Sequence, residues 1–582
     1  MIDKKGLGKF INRNAWIIAG IYSFLMFMLV YFFSYPGWET SDDYLISGIL
    51  SGITGESSPY VLVISYPLSY ILHQLQLHIP LVNWLTILEL FSVWISFSVF
   101  IWVFLKKMTK GDLLVAFLMP LVFETSFFMT LNYTRSACLL MFSGLFLIYY
   151  CTLEIFCAKK VVFGGILFVL GVMVRYGCMY LVAPFVGIWI VLSLIRQKRR
   201  HIYKKKENCT FIVSAICILA ISFGLIFYHK YVYIEFANEN NYAEFNSARA
   251  TAYDYLPKTY EEFEDDFKKI GISYNDYMML KGSMIYDDFF DEIIYRKIAD
   301  INMGENESLA QKWDAVKKRL WISFSQYGNG RMANQKNAYI LFFIVAAIAF
   351  VFLNKKAYFS FVCAFCGTIL MSFYFIWTGR FPPWIQDSLF LIASITFLYG
   401  IQWKESYILL YIKSKKSLIR KWSLCGLSII LVVYCLVFNS RVFEQRTKDF
   451  VLDQEVCFAL EFMENDEDNV YLIDNFRNCP FPIIDVYGSL RALKRGSWNN
   501  ILRVGTWFIS HPVLEQQLNM LQLKSPIKEL VNENVYLFTN VDSVNLERYQ
   551  IFISEHYQLE TEIYSIWKGD RYAIYKFKAL VN

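Results

Sequence analysis

Apolar runs of about 20 residues constrain this chain more than any other feature, because that length crosses the hydrocarbon of a bilayer. They fall at 15–34, 81–105, 112–130, 136–156, 161–175, 178–196, 210–230, 338–353, 357–377, 385–402 and 422–438, eleven in all. Composition agrees: 56% of residues are hydrophobic, and only 18% are charged, against about 25% in soluble domains. The first run follows Lys4, Lys5, Lys9 and Arg13 as a signal peptide's would. The "SYPGW" after it offers no small-residue cleavage site, so it reads as a retained helix. The net charge of +6 lies between spans rather than on one face, which argues against a nucleic-acid partner.

The connecting segments alternate in character. Lys106, Lys107 and Lys110 follow the second run, and Lys159 and Lys160 follow the fourth. "RQKRRHIYKKK" follows the sixth, Lys355 and Lys356 the eighth, and "KSKKSLIRK" the tenth. The positive-inside rule puts all of these, with the N-terminus, in the cytoplasm. The expected protein is a multi-pass α-helical plasma-membrane protein of about 11 spans. Its organisation reads as 1–34, N-terminus and first span; 35–80, an outward loop of surface helices; and 81–230, membrane spans. Then follow 231–337, an extracytoplasmic acidic helical segment; 338–439, further spans; and 440–582, an extracytoplasmic α/β domain. In that last part "NVYLID" (469–474) and "NVYLFTN" (534–540) read as buried strands, and "TEIYSIWKGDRYAIYKF" as a hairpin turning at Lys568-Gly569-Asp570. Helical runs at 441–463 and 544–557 flank them. Cys457 and Cys479 are the pair a disulfide would join if this region lies outside the cell.

The chemistry-bearing residues collect on the outward side. "YPGWETSDDYLISGIL" places Glu39, Asp42 and Asp43 just past the first span. Thr40 with Asp43 reads as a helix N-terminal capping pair. The functional reading makes one carboxylate the acceptor of a proton from a hydroxyl, with its neighbour helping to hold a divalent cation such as magnesium or manganese. On a regular helix adjacent residues point about 100° apart, so both address one site only if the backbone is irregular. Arg135, Arg175 and Arg380 are outward arginines at span ends, where bidentate guanidinium forks suit a phosphate at headgroup depth. In "EFNSARATAYDYLPKTYEEFEDDF", Arg249, Tyr253 and Asp254 combine rings and polar groups in a way that suits a sugar; the competing reading is an amphipathic helix ending at Pro257. No HExxH, GxSxG, Walker or Rossmann pattern occurs in a fitting context.

A cytoplasmic N-terminus, one span, a long outward loop opening on "ETSDD", many further spans and an extracytoplasmic C-terminal domain together resemble the GT-C superfold of membrane glycosyltransferases. Relatives of that superfold include protein mannosyltransferases and lipid A aminoarabinose transferases. "NSARATAYDYLP" with the later "GRFP" is also similar to bacterial polytopic proteins associated with surface polysaccharides. The resemblance implies an inverting transfer of a sugar from a polyprenyl-phosphate carrier to an extracytoplasmic glycan, lipid or protein. It implies Asp42 or Asp43 as general base, and donor phosphate held by Arg380 and, behind it, Arg135 and Arg175. Two other classes stay open. One is a polysaccharide polymerase or ligase using diphosphate-linked glycans. The other is a lipid-linked sugar transporter or flippase, which would show charged or broken helices at mid-membrane.

Overall fold

The computed structural model describes residues 4–33, 37–39, 41–200, 205–240, 242–254, 259–303, 312–318, 320, 333–352, 358–379, 381–401, 455–474, 493–505 and 509–580. Thr40, Arg380, Cys479 and the expected span at 422–438 lie outside these residues.

The first helix, α1 (Lys4–Phe33), leads through a two-residue strand β1 (Gly37–Trp38) into α2 (Ser41–Ser51) and α3 (Tyr66–His78). Pro67 therefore starts α3 rather than breaking it, since a proline in the first turn removes no intrahelical bond. Helix α4 (Trp84–Lys107) begins where the Asn83 side chain accepts the Thr86 amide at 3.2 Å. Helix α5 (Lys110–Met119) begins where Thr109 accepts that of Asp112 at 3.1 Å. A π-helical turn, Pro120–Glu124, joins α5 to α6 (Thr125–Met129). Strand β2 (Thr130–Leu131) then pairs in parallel with β1. The remaining membrane helices are α7 (Tyr133–Tyr149), α8 (Ala158–Arg175), α9 (Met179–Arg200) and α10 (Lys205–Asn240).

Among the described residues, six stretches are long and apolar enough to cross a membrane: Gly8–Phe33, Trp84–Lys107, Gly111–Met129, Tyr133–Glu154, Ala158–Val191 and Glu207–Phe236. The fifth is two antiparallel helices. Gly164 of α8 packs on Gly144 of α7, and Gly171 on Ala137, so these two helices run in opposite directions. Cys178 then lies against Thr134, and the Trp189 ring against Phe146 and Tyr149, so α9 runs parallel to α7. The chain reverses at Tyr176–Cys178, as expected for separate spans at 161–175 and 178–196.

The two ends of the bundle differ chemically. At one, Lys106 reaches the Asn12 carbonyl at 2.8 Å, Lys107 pairs with Asp112 at 3.2 Å, and Lys160 lies over the Trp16 and Trp102 rings. Asp42, Asp43, Arg135 and Arg175 occupy the other.

Beyond α10 come α11 (Tyr242–Arg249), α12 (Glu264–Lys269), α13 (Tyr274–Lys281) and α14 (Glu292–Met303). Three apolar helices follow: α15 (Ala333–Phe352), α16 (Tyr358–Trp377) and α17 (Pro383–Gly400). A helix over 455–465 precedes β3 (Val470–Ile473), β4 (Ile501–Arg503), α18 (Pro512–Leu521), β5 (Val535–Asn540), α19 (Asn545–Tyr557), β6 (Thr561–Lys568) and β7 (Tyr572–Ala579). The five strands form one mixed sheet ordered β4-β3-β5-β7-β6, parallel from β4 to β5 and antiparallel onward.

Alternation along the strands gives the sheet two buried faces. Val470, Leu472 and Leu537 pack with Phe245, Leu280, Phe290 and Ile298 from the segment before α15. Tyr471, Ile473 and Phe538 face Trp498 and, from the membrane part, Trp38, Tyr44 and Ile53. Residues 242–303 and the C-terminal sheet share one core, because neither sheet face is polar enough to stand in water.

Candidate active site

The site is organised by the start of α7. Asn132 sits in extended backbone, and its side-chain oxygen accepts the Thr134 amide at 2.9 Å and the Arg135 amide at 3.4 Å. The next free amide of that helix end, Tyr133 N–H, donates to the Asp43 carboxylate at 3.0 Å, and Asn132 Nδ2 donates to it at 3.4 Å. Asp43 is fully buried and also meets the Glu89 carboxyl of α4, which accepts from Trp38 Nε1 at 3.0 Å. Asp43 thus caps α7, a helix 90 residues away in the chain. A carboxylate facing unsatisfied N-terminal amides is favoured both by hydrogen bonding and by the helix dipole.

Helix α2 is regular from Ser41, so Asp42 points away from Asp43. It is half-buried and lies within charge range of Tyr133 and Arg175. Arg175, where α8 ends, donates from Nη1 to Tyr133 Oη at 2.8 Å and to Thr134 Oγ1 at 2.5 Å. Its guanidinium stands 5.1 Å from the Tyr133 ring centroid. Asp42, on α2, therefore lies within charge range of the Tyr133–Arg175 pair that joins α7 to the end of α8.

Arg135 belongs to a different arrangement. It is 3% exposed, donates to the Thr130 carbonyl at 2.8 Å and to Thr130 Oγ1, and pairs with Glu39 at 3.1 Å and with Asp387 of α17. Its charge is met by two carboxylates, which corrects the expectation that it faces a phosphate. Arg380, expected to lead in phosphate binding, is outside the described residues.

The expected sugar-binding group does not form an open surface. Arg249 is turned inward, 8% exposed, with Nε on Asn246 Oδ1 at 3.2 Å. Tyr253 accepts from Ser283 Oγ at 2.9 Å and donates to the Lys281 carbonyl at 3.4 Å. The Asp254 side chain is outside the described residues. The amphipathic-helix reading fits better here: Tyr242, Phe245 and Arg249 share the buried face of α11.

Of the two carboxylates expected to share a cation, Asp43 is engaged by Tyr133, Asn132 and Glu89. Among the described residues, the three-residue group with ligand atoms close enough for a metal is Asp276, Glu555 and His556, between α13 and α19. There His556 Nε2 lies 2.8 Å from Asp276 Oδ1. Burial works to lower the His556 pKa, but the hydrogen bond and charge of Asp276, aided by Glu555 and Asp287, outweigh it and the pKa rises.

Sequence reasoning missed Glu89, Asp387 and Glu124. All three are acids inside apolar runs, a signal that by itself marks a site worth examining. Glu124 closes the π-helical turn and accepts from Ser23 Oγ of α1.

No family model matches the sequence, and no curated protein matches it. The chain is similar to the solved structure titled as ArnT from Cupriavidus metallidurans in the apo state. That alignment covers 97% of this chain and 98% of that one, at 8% identity and a TM-score of 0.41.

Proposed function

We propose that this membrane protein transfers a sugar from a polyprenyl-phosphate carrier to an acceptor hydroxyl on the outer side of the membrane. The observation that supports the reading is that Asp42 and the Tyr133-anchored Arg175 lie within charge range of each other at the end of the bundle away from the lysines. Nη1 of Arg175 is taken by Tyr133 and Thr134, and that anchoring aims the rest of the fork. In this reading Arg175 binds the carrier phosphate and stabilises the charge that develops on it as the bond to the sugar breaks. Asp42 accepts the acceptor's hydroxyl proton as that oxygen attacks the anomeric carbon from the opposite face, inverting it. The products are the glycosylated acceptor and the lipid phosphate. Asp43 positions α2 and does not touch substrate.

The test is transfer in vesicles offered labelled polyprenyl-phosphate sugars. Asp42→Asn is expected to lower the rate by about 10²–10⁴-fold with an unchanged melting temperature. Arg175→Ala should impair donor use more than Arg175→Lys. Full transfer by the Asp42→Asn/Arg175→Ala double variant at normal membrane levels would end this reading.

Transport of a lipid-linked sugar is a second reading, favoured by Glu124 at its π-helical turn, since such turns cluster at functional positions. It predicts that Glu124→Gln blocks movement of labelled carrier across the vesicle while Asp42→Asn does not. The opposite pattern discards it.

A further inference from the structure

Two cysteines lie close together where the chain turns from α8 to α9. Cys138 lies in α7, one turn past Thr134 and on the same face; it is 1% exposed. Cys178 ends the short turn after Arg175 and is 6% exposed. Its sulfur reaches the Thr134 carbonyl oxygen at 3.7 Å, which places it against the turn of α7 that carries Cys138. Helix α8, which leads into the turn bearing Cys178, packs closely on α7: a Cβ on Gly171 would stand 2.9 Å from the Ala137 carbonyl oxygen, one residue before Cys138. Arg175, which donates to Thr134 Oγ1, stands beside both sulfurs.

We propose that Cys138 and Cys178 are a disulfide-forming pair, and that the bond fastens the Arg175-bearing turn to α7. The oxidant is a second disulfide, either a small-molecule one or the active disulfide of a thiol oxidase. One cysteine attacks it as thiolate, displacing one of its sulfurs and forming a mixed disulfide. The other cysteine attacks that intermediate and releases the second. Two electrons and two protons pass from the pair to the oxidant, and one S–S bond replaces another. Cys178, the more exposed of the two, makes the first attack. Arg175 supplies positive charge beside the reacting sulfur. The bond stands independently of the transfer reading: it holds or fails whether or not any sugar is moved.

The experiment equilibrates the full-length protein in detergent with glutathione mixtures from reduced to oxidised, and in parallel with diamide, which is small enough for a buried thiol. Acid quenching, denaturation and alkylation precede mass spectrometry of the digest. The expected product is the Cys138 peptide joined to the Cys178 peptide, lighter by two hydrogens than their sum. Its yield should rise with oxidised glutathione and be reversed by the reduced form. Cys138→Ser and Cys178→Ser should each abolish it. Cys151 and Cys157, whose backbones are joined by a 3.0 Å hydrogen bond at the lysine-bearing end, serve as the comparison pair. Full alkylation of both Cys138 and Cys178 after both oxidants, or equal joining of Cys138 to several cysteines, would overturn the proposal. Joined peptide in a protein that transfers no sugar would leave this inference standing and remove only the transfer reading.

Discussion

Arg135 shows why a residue's chemistry cannot be read from its neighbours in the chain. Its place at the end of a span was legible, but its partner Asp387 is 252 residues away. Replacing it by Met should leave the partly buried Glu39 and Asp387 without this cation, a loss of up to about 3 kcal/mol in unfolding experiments on the detergent-solubilised protein. Adding Glu39→Leu and Asp387→Leu should recover most of that loss; an Arg135→Met protein that melts like the parent would show the pairing to be idle. Asp43 carries a similar lesson. A capping acid was legible from "TSDD", but the helix it caps is α7, which only the fold brings near. Asp43→Asn puts an amide where Tyr133 N–H and Asn132 Nδ2 both need an acceptor. The expected cost is about 1–3 kcal/mol of stability, measured by melting, which separates it from the activity loss expected at Asp42. Asp42 and Arg175 were both visible as charges next to apolar runs. That they lie within charge range of each other was not, because it depends on the fold bringing α2 to the Tyr133–Arg175 pair.

The helices were legible because length and hydropathy alone decide whether a segment can cross a bilayer. The reversal at Tyr176–Cys178 was visible for the same reason: 34 consecutive apolar-rich residues exceed what one crossing needs. Which helices pair was hidden, since in lipid the pairing is set by small residues rather than by hydrophobic burial. Gly144, Gly164 and Gly171 bring α7 and α8 together so closely that a Cβ on Gly144 would stand 2.5 Å from the Gly164 carbonyl oxygen. Gly144→Val and Gly171→Val should each destabilise the protein by about 1–3 kcal/mol through overpacking. Gly224 of α10 has open space around it, so Gly224→Ala should be neutral or stabilising by up to about 1 kcal/mol. Equal melting temperatures for all three variants would show that the α7–α8 approach is not close-packed. Strands β3, β5, β6 and β7 were legible from their short apolar runs, whereas β4, three residues long, was not. Their shared core with 242–303 was not, because it joins segments on either side of α15, α16 and α17.

At the scale of the whole molecule, the C-terminal body is fastened to the loop between α2 and α3. Gly496 and Trp498 amides donate to Gly52 and Ile53 carbonyls at 2.9 and 2.8 Å, and Arg495 Nε donates to the Gly55 carbonyl at 2.7 Å. His511 completes the contact. Its Nε2 donates to the Tyr60 carbonyl at 3.0 Å while its Nδ1 accepts the Val513 amide at 3.2 Å, so the ring is neutral when docked. Burial, only partly offset by the Tyr60 hydrogen bond, lowers its pKa from 6.5 to about 4. The sign follows from linkage. Above pH 6.5 the folded and unfolded states are both neutral and the contact is fully present. As pH falls toward 4 the unfolded histidine takes up a proton that the docked one refuses, and stability drops by on the order of 3 kcal/mol. His556 works in the other direction. Its raised pKa adds stability below 6.5, and that is lost as pH rises through the folded value. His511→Asn keeps a helix-capping side chain but has no group that titrates in this range. It should therefore flatten the acid limb of a melting-temperature profile between pH 6.5 and 4 and leave the alkaline limb alone, while His556→Gln should alter the alkaline limb. Hydrogen-exchange protection factors at 58–62, which divide out the intrinsic pH dependence of amide exchange, should fall on acidification in the parent and not in His511→Asn. An acid limb identical in both proteins would show that the body is held by its backbone contacts, with His511 contributing only packing.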